Sequence, residues 1–218
     1  MSLFDPLFLY CERTGPSFFG EPLNLLSNAV FFIAAWLLWR NYEKNHKKCD
    51  EERITLIALI TLIGVGSSLF HMAPNQLTLY GDTIPIALFV TFSLYICLRR
   101  LLTLSIKQTL LLVVGFGIVN ALTIYVPQPY RFNGSVSYFP CLATLALITF
   151  ILRRQHHEAT TNFIELTALF TVSLTFRSID MAICPTLSFG THFLWHICNG
   201  FMVYLLARAI RERRKAER

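Results

Sequence analysis

The chain has 218 residues, of which 54% are hydrophobic and 15% charged, and its formal net charge is +6 at pH 7. Apolar runs long enough to cross a bilayer recur from one end of the chain to the other. These properties exclude a water-soluble globular protein. They predict an all-α integral membrane protein, because continuous apolar runs are not the alternating strands of a membrane barrel.

The predicted elements are seven membrane-spanning helices, each near the ~20 residues that a spanning helix needs. In chain order they cover residues 23–39, 54–72, 83–98, 109–126, 136–152, 162–179 and 191–207. The linkers between them are short. The sequence therefore predicts one seven-helix domain over residues 1–218, with no separate soluble domain.

The basic residues predict the orientation of this bundle, because Lys and Arg in short loops stay on the cytoplasmic side. Only Arg13, Arg131 and Arg177 fall in the N-terminal segment and the even-numbered loops. Sixteen of the 19 fall in the odd-numbered loops and the C-terminal tail: Arg40, Lys44, Lys47, Lys48, Arg53, Arg99, Arg100, Lys107, Arg153, Arg154, Arg208, Arg211, Arg213, Arg214, Lys215 and Arg218. We expect the N-terminus outside and the C-terminus in the cytosol. The basic tail then follows from topology, and no nucleic-acid partner is expected.

Three of the six histidines fall near the predicted outer face. His71 ends the second helix, and His192 and His196 lie one turn apart at the start of the seventh, in the segment HFLWH. Such a pair can bind one metal ion or can simply hydrogen-bond water and backbone. His46, His156 and His157 lie in predicted cytosolic loops, where we expect surface positions.

Two further polar residues lie close to His71 in the sequence. Ser67 precedes it by one turn on the same helix face. Asp82 lies at the start of the third predicted helix, where its carboxylate either belongs to the site or caps the helix. Three neutral imidazoles would hold Zn²⁺ and leave a fourth position for water, as in catalytic zinc sites. In that arrangement Asp82 would orient a ligand or accept a proton, and Ser67 would donate a hydrogen bond to an oxyanion.

The order of these residues, SxxxH, then Asp, then HxxxH, resembles the seven-helix membrane hydrolases that include alkaline ceramidases and adiponectin-receptor proteins. The segments YCERTGPSFFGEPLNLLSN and FRSIDMAICPTLSFGTHFLWHICNG are similar to the alkaline ceramidase branch, particularly its bacterial members. The resemblance implies a zinc amidase that cleaves the N-acyl bond of ceramide or a related lipid to a sphingoid base and a fatty acid. It implies His71, His192 and His196 as zinc ligands and Asp82 and Ser67 as catalytic residues.

The resemblance also suggests a calcium site near the N-terminus. Eukaryotic members carry an Asp-Trp-Cys-Glu-x-Asn pattern there, whereas this chain has Leu9 and Thr14 at the Asp and Asn positions and keeps only Glu12 and Glu21. Two carboxylates beside Arg13 make a weak Ca²⁺ site, since this ion takes six or more oxygens. The alternative is structural: Glu21 caps the first helix or pairs with Arg13.

Two further predictions concern polar contacts at the outer face. Cys11 and Cys184 are the only cysteines predicted on this oxidising side, so a disulfide between them is possible, whereas Cys49 is predicted to be cytosolic and reduced. Arg177 and Asp180, three residues apart, are predicted to form an ion pair, with a lipid headgroup as the alternative partner of these residues.

Two other classes of membrane protein can carry such a metal set. A zinc-containing receptor or scaffold of the adiponectin-receptor type is one, although its N-terminus is expected in the cytosol. A zinc transporter is the other, although its ligands would lie near the midplane of the bilayer. A lipid hydrolase of the bacterial inner membrane, with its site towards the periplasm, or otherwise of the endoplasmic reticulum or Golgi, is the favoured prediction. The sequence does not indicate an oligomeric state.

Overall fold

Helices form all the regular structure of the described residues, which are 3–43 and 51–216 of a computed structural model. Short 3-10 turns join the fifth helix to the sixth, and only Asn28 separates the first helix from the second, so that these two form one span. The α-helices are α1 (Pro22–Ser27), α2 (Ala29–Glu43), α3 (Glu51–Met72), α4 (Gln76–Arg100), α5 (Ile106–Leu122), α6 (Phe139–Arg154), α7 (Thr160–Ile179) and α8 (His192–Ala216). The all-α prediction is confirmed.

Six segments within the described ranges are long and apolar enough to cross a membrane, and the chain is an integral membrane protein. They are Pro22–Asn41, Glu51–Met72, Gln76–Arg100, Ile106–Tyr125, Ser135–Arg154 and His192–Ile210. The seventh predicted span corresponds to α7, which is long enough but is not among the six. The count of seven spans and the orientation of the termini therefore stay predictions.

The composition of α7 explains why it differs from the other spans. It is rich in threonine and serine, which lower its mean hydropathy. The hydroxyls of Thr167, Thr171 and Thr175 donate to backbone carbonyls four residues earlier in the same helix. Because these hydroxyls have their partners within the helix, the polar composition of α7 does not by itself require water around it.

Several predicted cytosolic positions lie outside the described residues. They are Lys44, His46, Lys47, Lys48, Cys49 and Arg218.

The start of α4 differs from the prediction. The helix begins at Gln76, about two turns before the predicted residue 83, because Asn75 and Thr78 form a capping box in which side chains and backbone N–H groups bond reciprocally. Asp82 consequently lies in the second turn of α4. The proposal that Asp82 caps this helix is wrong, and its carboxylate is left for another role.

Helices α3 and α4 approach each other closely where two glycines face each other. A Cβ atom at Gly66 would overlap the carbonyl of Gly81 and would lie 3.2 Å from the Cα atom of Asp82. Only a residue without a side chain allows this approach. Since Ser67 follows Gly66 directly, the contact brings Ser67 and Asp82 to the same cavity.

The bundle has two unlike ends. At the histidine end, α3 finishes with His71, α4 begins, and α8 starts with His192. At the opposite, arginine end, α4 finishes with Arg99 and Arg100 and α6 with Arg153 and Arg154. These four basic residues are thus at the far end of the bundle from the predicted metal ligands.

An N-terminal segment, residues 3–21, lies over the histidine end. The backbone N–H of Leu7 donates to the carbonyl of Pro74, and Tyr10, Cys11 and Arg13 are buried. A disulfide joins Cys11 to Cys184, with 5.5 Å between their Cα atoms, and so ties the segment to the loop between α7 and α8. The disulfide that the sequence left open is present.

Candidate metal centre

The three predicted metal ligands come together at the histidine end. One ring nitrogen each from His71, His192 and His196 lies within 4.8 Å of the others, and all three residues are buried. The distance between ring centroids is 4.6 Å for His192 and His196, which lie one turn apart on α8, and 4.8 Å for His71 and His196. The two histidines of α8 and the histidine at the end of α3 therefore come together, as the sequence predicts.

Second partners orient two of these rings. His71 Nδ1 donates to Glu21 Oε2 over 2.5 Å. His196 Nδ1 lies 2.8 Å from the hydroxyl of Ser27 and 3.1 Å from the carbonyl oxygen of Asn24. The carboxylate of Glu21 and the carbonyl of Asn24 act as acceptors, so Nδ1 carries the proton in both rings. Nε2 of each ring is then left for an ion. Metal-binding histidines almost always show this arrangement.

Unpartnered nitrogen atoms are the observation that fits a metal ion. His71 Nε2 and His192 Nδ1 are buried and make no hydrogen bond among the described residues. A buried polar atom without a partner carries a free-energy penalty, which an ion would relieve. Three imidazoles whose nitrogens lie this close together can bind zinc or another transition metal.

Asp82 and Ser67 line the same cavity as His192 and His196. The Ser67 hydroxyl lies beside the Asp82 carboxylate, while Asp82 Oδ1 is buried and has no partner among the described residues. Both side chains are buried. All five predicted site residues therefore lie together, and one carboxylate oxygen is free to bond to a ligand or to water.

The two carboxylates of the predicted calcium site are both engaged by the protein. Glu12 accepts from the backbone N–H groups of Leu23 and Asn24 at 2.7 and 2.9 Å, and so caps α1. Glu21 pairs with Arg13 over 2.5 Å. The predicted pairing of Glu21 with Arg13 is confirmed. The predicted capping by Glu21 is wrong, because Glu12 does this from a more distant position in the chain.

The charge of Glu21 follows from these partners. Burial by itself would raise the pKa of the Glu21 carboxyl group, but the hydrogen bonds from His71, Arg13 and Asn24 outweigh burial and hold the pKa below its ordinary value. Glu21 is thus an anion that faces the ring of one predicted ligand.

Arg177 lies at the site and not in the predicted ion pair. Its guanidinium lies 5.2 to 5.5 Å from the ring centroids of Tyr10, Tyr138 and Trp195, and Nη1 donates to the Tyr10 hydroxyl over 2.9 Å. It lines the cavity that holds Asp82. Tyr10 in turn stacks on His192 with 3.6 Å between ring centroids.

Asp180 has a different partner from the one predicted. Its carboxylate accepts from the backbone N–H groups of Thr191 and His192 at 2.7 and 2.9 Å, and from that of Cys11 at 3.0 Å. It thereby fixes the start of α8 and the N-terminal segment together. Gly190 permits this, since its φ is +62° and a Cβ atom there would lie 2.7 Å from the Cβ atom of Cys11. The predicted Arg177–Asp180 ion pair is therefore wrong.

The cavity at the site continues towards the arginine end as an apolar pocket. The two share the lining residues Phe89, Val90, Cys141, Phe170 and Met202. Beyond them the pocket is lined almost wholly by apolar side chains, including Leu94, Leu145, Ile148, Phe163 and Leu166. A polar site thus adjoins a hydrocarbon-lined pocket within the bundle.

Comparison with known proteins identifies the family. Residues 10–215 match the family model named Ceramidase, which is most of the chain. A search of curated proteins gives no match. The matched range contains all three histidines, Ser67 and Asp82, and the family implies a hydrolase that acts on an amide bond. The chain belongs to the ceramidase family.

Proposed function

We propose that this protein is a zinc-dependent amidase that hydrolyses the N-acyl bond of ceramide or a related lipid within the membrane. The observation that carries the proposal is the convergence of three buried histidines with an unpartnered carboxylate oxygen at the mouth of an apolar pocket. His71, His192 and His196 would hold the ion. When bound there, zinc would supply Lewis-acid activation of a water and of the amide carbonyl.

Asp82 is the proposed general base and acid. As the water oxygen bonds to the carbonyl carbon, Asp82 takes one proton from the water at Oδ1, the oxygen that has no other partner. As the C–N bond breaks, Asp82 returns that proton to the nitrogen. The products are a free amine, the sphingoid base, and a fatty acid, and the carboxylate is restored for the next turnover.

Ser67 is proposed to serve two acceptors in turn. In the resting protein its single hydroxyl proton would bond to the neighbouring Asp82 carboxylate. Once Asp82 is protonated it no longer needs this donor, and the Ser67 hydroxyl can donate to the oxyanion that forms on the carbonyl oxygen. The role predicted for Ser67 is compatible with its contact in the resting protein only in this order.

The shape of the interior supports a lipid as the substrate. The apolar pocket beyond Cys141 matches one hydrocarbon chain in character, and it begins beside the proposed reaction centre. A groove between α4 and α5, lined by Ile86, Val90, Phe116 and Tyr138 among others, adjoins both cavities. A substrate dissolved in the bilayer would reach the site through this groove without crossing water.

The test is to incubate purified protein with a panel of N-acyl lipids, including ceramides of several chain lengths, and to measure released fatty acid by mass spectrometry. Zinc is measured on the same sample. We expect about one zinc per chain and fatty acid from at least one ceramide. Protein that holds zinc and hydrolyses none of these lipids would instead support the receptor or scaffold class.

A further inference from the structure

Arg13 is a buried cation that is surrounded by oxygen atoms. Its Nε donates to Glu21 Oε1 over 2.5 Å, Nη1 to the carbonyls of Gly15 and Ser17 over 3.1 and 2.9 Å, and Nη2 to the carbonyl of His71 over 2.7 Å. The residue is only 6% exposed. All three nitrogens of the guanidinium are therefore committed to fixed acceptors, which is far more than a surface arginine makes.

Arg13 reaches His71 along two routes. The direct route is the hydrogen bond to the His71 carbonyl, which fixes the backbone at the end of α3. The second route passes through Glu21, whose other oxygen accepts from His71 Nδ1 over 2.5 Å and from Asn24 Nδ2 over 3.0 Å. One guanidinium thus constrains both the backbone and the ring orientation of a single histidine.

These contacts leave no place for a calcium ion at the predicted carboxylates. Both oxygens of Glu21 already accept hydrogen bonds, and both oxygens of Glu12 accept from backbone N–H groups of α1. The guanidinium of Arg13 occupies the space among the carbonyls of Gly15, Ser17 and His71 that a cation would need. The positive charge beside Glu21 is supplied by the chain itself.

We propose that Arg13 is a positioning residue of the metal centre: it holds Glu21 against His71 and so sets the affinity of the three histidines for their ion. This inference rests on the proposed metal centre at the histidine end. It does not depend on which lipid is the substrate or on whether the protein turns over.

Zinc affinity measured by competition with a chelator tests this proposal, in the unaltered protein and a set of five variants. Partners that orient a metal ligand typically contribute 10- to 100-fold to affinity. We expect Glu21→Gln to weaken zinc binding by about that factor and Arg13→Ala by about 10-fold. Arg131→Ala is the matched control, because Arg131 also donates to backbone carbonyls, those of Val126 and Ile124, but contacts no histidine.

The double variant Arg13→Ala/Glu21→Gln separates positioning from general stabilisation. If Arg13 acts mainly through Glu21, the double variant should bind zinc about as weakly as Glu21→Gln alone, since coupled residues do not add. Arg13→Lys keeps the charge without the planar fork and should bind zinc more tightly than Arg13→Ala. Added Ca²⁺ should leave the affinity of the unaltered protein unchanged.

Each other outcome overturns a specific claim. Fully additive losses, or an Arg13→Ala protein that binds zinc as tightly as the unaltered one, would overturn the positioning role and leave the proposed function standing. A calcium-dependent rise in the zinc affinity of the unaltered protein would show that Arg13 does not replace an ion. If the unaltered protein binds no zinc, the proposed metal centre fails and this inference with it.

Discussion

The histidine end and the arginine end of the bundle bury very different side chains. Fully buried residues of the histidine end include Glu21, Asn24, Asn28, His71 and His192, whereas the largest fully buried residues towards the arginine end are Ile60, Ile96, Leu152, Phe163 and Leu166. Burial of polar groups is unfavourable unless each finds a partner, and burial of apolar groups is favourable by itself. Apolar packing thus accounts for the interior of the arginine end, while the buried polar groups of the histidine end indicate a functional site.

The contacts of the buried polar groups support this contrast. Ion pairs and hydrogen bonds connect Arg13, Glu21, Asn24 and His71 into one network at the histidine end. A few atoms are left out of it, among them His71 Nε2, His192 Nδ1 and Asp82 Oδ1. Asn24 Oδ1, Asn28 Oδ1 and Arg177 Nε also lack partners among the described residues, but the two histidine nitrogens and the Asp82 oxygen belong to the candidate metal centre, where an ion and its water would give them partners.

The largest expected effect is loss of the ion when a ligand is removed. His196→Ala deletes one of three donors, and we expect purified protein to retain less than about a tenth of its zinc, since the fourth position cannot replace a protein ligand. The metal content of each variant is measured by elemental mass spectrometry. His156→Asn, an exposed histidine at the arginine end, is the control and should keep all of the metal. Equal loss in both variants would contradict the assignment.

The next effect concerns proton transfer. Asp82→Asn keeps the shape of the side chain but cannot accept the proton, so we expect hydrolysis to slow by about 10²-fold or more while zinc content stays unchanged. Rates are measured as fatty acid released per zinc. A variant as active as the unaltered protein would exclude Asp82 as the base.

Ser67 is expected to contribute less, because it only donates a hydrogen bond. Ser67→Ala should slow hydrolysis by up to about 10²-fold and keep the metal. The adjacent Ser68 is a matched control, since its hydroxyl donates to the Gly64 carbonyl of its own helix. If Ser68→Ala slows the reaction as much as Ser67→Ala, the effect is on the packing of α3 and not on the oxyanion.

The smallest effect should appear where the two regions meet. Cys141 lines both cavities, so Cys141→Phe should obstruct the passage towards the arginine end and shift the preference from long to short acyl chains by about 10-fold in kcat/KM, the scale of steric discrimination in an apolar pocket. The comparison uses ceramides of different acyl length. Cys198→Phe is the control, because Cys198 lines neither cavity. An unchanged preference would place the acyl chain elsewhere.

The site residues that the sequence predicts are those on regular helices. His192 and His196 are four residues apart on one helix, and Ser67 has the same spacing to His71, so helical geometry alone puts each pair on one face. The sequence predicts that residues of α3, α4 and α8 meet because it places them at the same depth in the membrane. Helix spacing therefore contained most of the information about the three histidines and Ser67.

The residues that the sequence did not predict lie on irregular backbone or act at long range. Tyr10 and Arg13 belong to a segment without periodicity, so nothing in the sequence indicates that they fold back onto His192 and His71. Asp180 lies three residues from Arg177 but instead bonds to the backbone of Thr191 and His192, because the turn at Gly190 brings those N–H groups to it. Asn75 caps α4, and because its capping box lies outside the apolar run, the run predicts a start for this helix that is too late.

The disulfide between Cys11 and Cys184 has a consequence for the order in which the protein is made. These cysteines are separated by 173 residues, and the proposed metal ligands lie on α3 and on α8, which is made after α3 and α7. Until α8 is inserted, His71 has neither of its companion histidines, and until α7 and the loop after it are made, the N-terminal segment has neither Asp180 nor Cys184 to attach to. The proposed metal centre would therefore not form in a nascent chain that has not yet reached α8, and such a chain would lack the proposed hydrolase activity.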